Sequence, residues 1–181
     1  LPSLVPRAPV SATALYAASF LGYADVVKEL LRTGTDPSVQ TFSGAHPIGA
    51  AAQGGHEAIV HELLTKGPAA CGGLSGITAA LRLAAKEGHI GVLSIMIRAG
   101  CKDFNGGAIL NAALFGRAPS VRLLLEASGG ITDYGNEVTG ATPLHQAAEM
   151  GHLKVTVLLL QAGASHTVVD NRGVTPAGRA A

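Results

Sequence analysis

A glycine followed by a histidine, an aromatic residue or an arginine recurs along this chain at a nearly constant interval. The pairs are Gly22-Tyr23, Gly55-His56, Gly88-His89, Gly116-Arg117 and Gly151-His152, and their glycines lie 33, 33, 28 and 35 residues apart. A period of roughly 20 to 50 residues is typical of repeat proteins, in which each unit is a small motif that stacks on the next. The 181 residues are therefore predicted to form one elongated domain of stacked units.

The residues around Gly151 indicate what one unit contains. Thr142 can cap a helix that begins at Pro143, because a proline at the first helical position has no amide hydrogen to leave unbonded. A second helix is predicted after Gly151, where Val155, Leu158 and Leu159 recur at helical spacing and form a core-facing stripe. Each unit is thus predicted to be two antiparallel helices and a loop, with a left-handed glycine ending the second helix at Gly34, Gly67, Gly100 and Gly163.

The pattern resembles the ankyrin repeat family, whose repeat reads roughly TPLHxAA, two variable residues, GH and VVxLLLxxGA. The fifth unit matches best, from Gly140 through Thr142-Pro143-Leu144-His145 to Gly163-Ala164. The resemblance implies an all-α solenoid of stacked antiparallel helix pairs with projecting loops or β-hairpins. We expect an N-terminal tail or linker (1–9) and an ankyrin repeat domain (10–181), with repeats near 10–42, 43–75, 76–103, 104–138 and 139–171 and a partial one at 172–181.

Departures from the pattern concern the middle and the end of the array. His46, Ala79 and Gly107 occupy, or lie nearest to, the place of the capping threonine in repeats two to four, so the middle is expected to be less stable. The interval of 28 residues removes most of one loop, and the interval of 35 lengthens the next one, 128–137. Because the sixth repeat is only half present, we expect a longer polypeptide.

Composition and motifs argue against several classes of function. A formal net charge of +1 provides no basic field for nucleic acid, and no apolar run reaches the roughly 18 residues of a membrane span. Cys71 and Cys101 lack metal-ligand spacing, which fits a reducing, intracellular compartment, cytoplasmic or nuclear. His56 and His61 are five residues apart and point in different directions along a helix, so they do not predict a zinc site.

Neither a catalytic residue nor a cofactor is predicted. The segment 73–77 lacks the final glycine of a nucleophile elbow, and the chain contains no phosphate-binding loop or dinucleotide fingerprint. The resemblance implies structural hydrogen bonds for the histidines His56, His89, His145 and His152, and a non-catalytic role in binding a protein or peptide.

The candidate binding residues are those that the ankyrin family varies, after the Ala-Ala pair at the end of each first helix. The resemblance implies that they face the concave surface of the array. They are Phe20, Leu21, Gln53, Gly54, Lys86, Glu87, Leu114, Phe115, Glu149 and Met150. Loop residues expected beside the same surface are Phe42, Ile77 and Tyr134. Exposed apolar side chains are costly unless a partner covers them.

Three alternatives remain open at this point. Phe20, Leu21, Leu114 and Phe115 could instead fold back into the core or cover an interface with other parts of the chain. The array could be the scaffold of an enzyme or small-molecule binder, with a pocket at the irregular junction of repeats three and four lined by Asp103, Asn105, Asp133 and Glu137. It could also be an intramolecular structural domain that packs against other domains of a longer protein.

Overall fold

The computed structural model describes residues 10–41, 43–103, 106–130 and 133–180, and the ordered elements in these ranges are helices. A short 3-10 helix, Ala69–Cys71, precedes the longest α-helix. The α-helices are α1 (Val10–Leu21), α2 (Ala24–Arg32), α3 (Pro47–Gly54), α4 (Glu57–Thr65), α5 (Gly73–Glu87), α6 (Ile90–Arg98), α7 (Gly107–Leu114), α8 (Ala118–Ser128), α9 (Pro143–Glu149), α10 (Leu153–Gln161) and α11 (Pro176–Arg179). No strand occurs in these ranges, and the all-α prediction is confirmed.

The chain divides into two compact units, residues 1–80 and 81–181, and the division falls inside α5. In the first unit α1 contacts α2 and α3, while α4 contacts α2 and α3. In the second unit α7 contacts α8 and α9, α10 contacts α8 and α9, α6 contacts α8, and α11 contacts α9. Within each unit, first helices therefore stack on first helices and second helices on second helices, as in a repeat array. The single-domain prediction stays a prediction.

The interior of each unit is built from small residues on the first helices and aliphatic residues on the second. Ala51 and Ala52 of α3, like Ala112 and Ala113 of α7, are fully buried, which lets neighbouring helices approach closely. Second helices contribute the larger side chains. Val155 and Leu159 are buried as their spacing predicts, whereas Leu158 is only half-buried. Full burial of one such aliphatic side chain is worth about 1.5 to 3 kcal/mol.

The predicted glycine stops are confirmed. Gly34, Gly67, Gly100 and Gly163 have φ of 88°, 92°, 83° and 91°, a left-handed conformation that costs other residues energy. Each lies two residues after the last residue of a second helix, where the chain turns toward the next repeat.

The helix starts differ from the expectation in the middle repeats. Ala79 lies inside α5 rather than before it, because α5 begins at Gly73, after a left-handed Gly72. The residues of α5 include no proline at which the helix would have to begin later. His46 precedes α3 without a side-chain cap, as expected. Before α7 the cap is replaced, since Asp103 Oδ2 accepts the backbone N–H groups of Ala108 (2.9 Å) and Ile109 (3.2 Å). No helix in the described ranges has the length and apolarity to cross a membrane.

Candidate partner-binding surface

In the first unit, the C-terminal ends of α1 and α3 lie side by side. His56 Nε2 is 2.9 Å from the backbone oxygen of Phe20, which ties the turn after α3 to the end of α1. A Cβ atom on Gly54 would collide with the His56 ring and lie 3.1 Å from the same oxygen, so this close approach favours glycine. Phe20, Leu21, Gln53 and Gly54 thus form one continuous strip, which we call the α1/α3 edge.

The apolar residues of the α1/α3 edge point away from the core. Phe20 and Leu21 are 46% and 56% exposed, whereas Leu15 and Ser19 of the same helix are fully buried. Because Leu15 and Ser19 occupy the inward positions of α1, the two residues that follow lie on its outer side. The alternative in which Phe20 and Leu21 fold back into the core is wrong for these two residues. Gln53 is half-buried.

In the second unit, three helix ends are tied together in the same way. Arg117 Nε donates to the backbone oxygen of Lys86 (2.9 Å), and His152 Nε2 lies 3.0 Å from the backbone oxygen of Leu114. Arg117 therefore takes the structural position that histidines hold in other repeats. The six residues at these ends form the α5/α7/α9 edge, namely Lys86, Glu87, Leu114, Phe115, Glu149 and Met150.

The α5/α7/α9 edge combines apolar and charged groups. Phe115 and Met150 are exposed and Leu114 is half-buried. Lys86 Nζ lies 5.2 Å from the centroid of the Phe115 ring, within the range of a cation–π contact, and 3.5 Å from Glu87 Oε1. Lys86 thus lies between the face of an exposed aromatic ring and a carboxylate.

Glu149 is only partly available at this edge. Its Oε2 accepts a hydrogen bond of 2.6 Å from Arg179 Nη1, which draws the carboxylate toward α11.

Ile77 and Tyr134 were placed wrongly by the sequence analysis. Ile77 lies within α5 and is 9% exposed, because α5 begins earlier than the repeat pattern suggests and turns this residue inward. Tyr134 packs against Gly106 and lines a cavity of about 340 Å³ together with Cys101 and Leu124, and no residue of the α5/α7/α9 edge lines this cavity. Phe42 lies outside the described residues.

The described residues predicted to line one pocket at the junction of repeats three and four lie in different places. Asp103 lines the 340 Å³ cavity, whereas Glu137 lines a separate cavity of about 230 Å³. Asp133 accepts a hydrogen bond of 3.3 Å from Ser165 N, and Asn105 lies outside the described residues. The sequence could not show that Asp103 is turned into the N-terminus of α7.

The structural role of the histidines is confirmed at three positions. His56 and His152 bind backbone oxygens of the preceding repeat. His145 is fully buried, with Nδ1 accepting from Thr142 N (3.1 Å) and Nε2 lying 2.9 Å from Val174 O. The described residues hold no group of three or more His, Cys, Asp or Glu side chains suited to a metal ion. Burial raises the pKa of the Cys101 thiol, which disfavours its reactive thiolate form.

One residue that the sequence analysis did not single out is Arg82 of α5. Its guanidinium enters the 230 Å³ cavity, and its Nε is buried without a hydrogen-bond partner in the described structure. The only sequence signal is an arginine within the otherwise apolar segment 80–85.

A family model of ankyrin repeats (3 copies) matches residues 14–106 and 81–170. Together with the stacked helix pairs, this match shows that the chain belongs to the ankyrin repeat family. Ankyrin repeats are generally scaffolds for protein–protein interaction, and ankyrin repeat domains are typically non-catalytic.

Two curated proteins share part of this sequence. A probable E3 ubiquitin-protein ligase of Oryza sativa subsp. japonica is 38% identical over 76 residues, which is 42% of this chain and 14% of that protein. A palmitoyltransferase of Mus musculus is 37% identical over 62 residues, which is 34% of this chain and 10% of that protein. The matches thus span about a seventh and a tenth of these relatives, and neither enzyme's activity follows for this chain.

Proposed function

We propose that this chain is a non-catalytic scaffold that binds a segment of a partner protein through the α1/α3 edge and the α5/α7/α9 edge. The observation that carries the proposal is the exposure of Phe20, Leu21, Phe115 and Met150 at the ends of first helices. In ankyrin arrays these positions belong to the concave surface. Exposed apolar side chains at the helix ends of one unit, such as Phe20 and Leu21 in the first unit and Phe115 and Met150 in the second, are typical of an interaction surface.

The partner segment is proposed to be an apolar-faced helix or an extended peptide. Each apolar side chain buried on binding contributes about 1.5 to 3 kcal/mol, so a few anchors account for most of the affinity. Lys86, Glu87 and Glu149 add charges beside the anchors, and such charges set register and specificity more than affinity.

The net charge and the cysteines support two further parts of the proposal, which are the class of partner and the location of the protein. The net charge of +1 supports a protein partner rather than nucleic acid, because it provides little counterion release from phosphates. Within the described residues Cys71 and Cys101 form no disulfide, which supports a reducing intracellular location.

The test compares two double variants that are matched in exposure. Phe20→Glu with Phe115→Glu places charges on both edges, at positions 46% and 41% exposed. Val26→Glu with Val157→Glu places the same charges on the second helices α2 and α10, at positions 48% and 43% exposed. Each tagged protein is first checked for folding by circular dichroism. Partners are then captured from the native cell extract and identified by mass spectrometry, and the binding of a purified partner is measured by fluorescence anisotropy.

The expected result is a partner that binds the wild type and the Val26→Glu, Val157→Glu control equally. The Phe20→Glu, Phe115→Glu variant should bind it at least about a hundredfold more weakly, since two buried anchors contribute about 3 kcal/mol or more. The proposal is wrong if a folded edge variant binds the partner as tightly as the wild type. It is also wrong if the control variant loses the partner equally, since the second-helix surface would then bind.

A further inference from the structure

A second cavity lies within the second unit and has a different chemical character from the exposed edge. Its volume is about 230 Å³, and α5, α7, α9 and the loop 135–138 contribute to it. Sites for drug-sized ligands usually hold about 300 Å³ or more, so this cavity suits one side chain or one chain terminus. Among its lining residues are Arg82, Gly107, Leu110, Leu114, Asn136 and Glu137.

Arg82 is the cation of this cavity, and it has no acidic partner. Its Nε is buried without a hydrogen bond, and no carboxylate of the described residues forms an ion pair with it. Glu137 lines the same cavity but is exposed and is not paired with the guanidinium. Arg82 as a whole is half-buried, but its buried Nε lacks an acceptor, so a ligand that supplies one would satisfy this donor.

The position of the guanidinium depends on the glycine that begins α7. A Cβ atom on Gly107 would collide with Nε and Cζ of Arg82. Gly107 is not among the glycines with positive φ, so its backbone conformation does not call for glycine. The absence of a side chain at position 107 therefore makes room for Arg82 rather than for a turn.

The other walls of the cavity fit a carboxylate attached to a short aliphatic stem. Asn136 Oδ1 accepts from Val138 N and Thr139 N, both at 3.0 Å, and the side-chain Nδ2 of this lining residue can donate to a ligand. Leu110 and Leu114 supply an apolar wall for methylene groups. A guanidinium binds carboxylate through short, charge-assisted hydrogen bonds.

We infer that this cavity binds a carboxylate group of the partner segment, with Arg82 as its charge partner. The inference rests on the proposed function, because Leu114 belongs both to the cavity and to the α5/α7/α9 edge. A carboxylate of this kind comes either from an aspartate or glutamate side chain or from the C-terminus of the partner. The cavity would thus select partners in which an acidic group follows or precedes the apolar anchors.

The test uses small probes and NMR spectroscopy, so that it does not depend on an identified partner. N-acetyl-glutamate amide carries a side-chain carboxylate, and N-acetyl-glycine carries a terminal one. N-acetyl-glutamine amide is the neutral control, and inorganic phosphate tests for general anion binding. Each probe is titrated into the 15N-labelled chain while the backbone amides of 107–114 and the Nε resonance of Arg82 are followed.

Three variants accompany the titrations. Arg82→Gln removes the charge, and Gly107→Ala displaces the guanidinium while its backbone conformation stays accessible to alanine. Arg122→Gln removes an exposed arginine of α8 and serves as the matched control. Circular dichroism establishes that each variant folds.

The expected result is a saturable chemical-shift change with one or both carboxylate probes. The affinity from this titration should be at least about tenfold weaker in Arg82→Gln and Gly107→Ala and unchanged in Arg122→Gln. The stronger of the two carboxylate probes identifies the source of the group. Equal shifts with N-acetyl-glutamine amide, equal or tighter binding of phosphate, or carboxylate binding retained in Arg82→Gln would each overturn the inference. Partner capture by the exposed edges is measured separately from the probe titrations. If the titrations fail, the proposed function still stands. If partner capture fails, the titrations still report on carboxylate binding in the cavity.

Discussion

A single buried imidazole connects the fifth repeat to the residues that follow it. His145 Nδ1 accepts from the backbone of Thr142 at the start of α9, and Nε2 lies within hydrogen-bond distance of Val174 O, 29 residues later. Thr142 in turn caps α9, and His145 completes a capping box with it. The same ring therefore stabilises one helix start and one contact between repeats.

Replacing His145 with alanine should lower the free energy of unfolding by about 3 kcal/mol. The substitution leaves buried polar groups of Thr142 and Val174 without partners and creates a cavity. Urea denaturation followed by circular dichroism measures the change. His61→Ala, at an exposed position of α4, is the control and should change stability by less than about 0.5 kcal/mol. Equal effects of the two substitutions would contradict the role assigned to His145.

At the scale of elements, α11 is held to α9 by charge as well as by packing. Asp170 accepts the backbone N–H groups of Arg172 (2.8 Å) and Val174 (3.0 Å) and the side chain of Arg179. Arg179 also pairs with Glu149 at the end of α9. The Val174 N–H, followed by the Arg179 side chain and the Arg172 N–H, lowers the pKa of Asp170 from its usual 3.8 to about 2.

This lowered pKa predicts an acid-sensitive attachment of α11. A carboxyl group whose pKa is lower in the folded state stabilises the fold above its unfolded pKa, and that contribution is lost as pH falls through the folded value. The loss should therefore occur between about pH 4 and about pH 2. We expect the urea midpoint of the wild type to fall more steeply over this range than that of Asp170→Asn.

A second variant separates the causes of this pH dependence. Arg179→Gln removes the ion pair but keeps the backbone hydrogen bonds to Asp170, so it should retain part of the steep decline. Identical pH profiles for the wild type and Asp170→Asn would contradict the assignment.

At the scale of the whole molecule, stability in a repeat array is transmitted between neighbouring repeats. First helices contact first helices and second helices contact second helices within each unit. The hydrogen bonds of His56, Arg117 and His152 likewise join one repeat to the one before it. The effect of a substitution should accordingly weaken with distance along the array.

Native-state hydrogen exchange provides a direct measurement of this expectation. In His145→Ala the amide protection of α9, α10 and α11 should fall, while that of α1 and α2 should stay unchanged. Both proteins are compared at the same pH and temperature by mass spectrometry of peptide fragments. A uniform loss of protection from α1 to α11 would mean that the chain unfolds as one cooperative unit.

Most of the fold could be predicted from the sequence because its signals are local and repeated. The recurring glycine, the helical spacing of Val155 and Leu159, and the Thr142-Pro143 start each depend on residues within one repeat. The start or the cap of a helix was predicted wrongly in two of the repeats that lack the threonine-proline signal. The start of α5 at Gly73, which buries Ile77, and the replacement of a threonine cap by Asp103 before α7 are the two examples.

The candidate site depended more strongly on tertiary structure. The sequence by itself determined the helix-pair repeat and the positions of the variable residues, since both follow from periodicity. Only the folded chain decided that Phe20 and Phe115 are exposed, that Tyr134 turns to Gly106, and that Arg82 lies unpaired over Gly107. These outcomes depend on contacts between residues far apart in sequence, such as the 25 positions that separate Arg82 from Gly107. Periodicity within one repeat carries no information about such pairs.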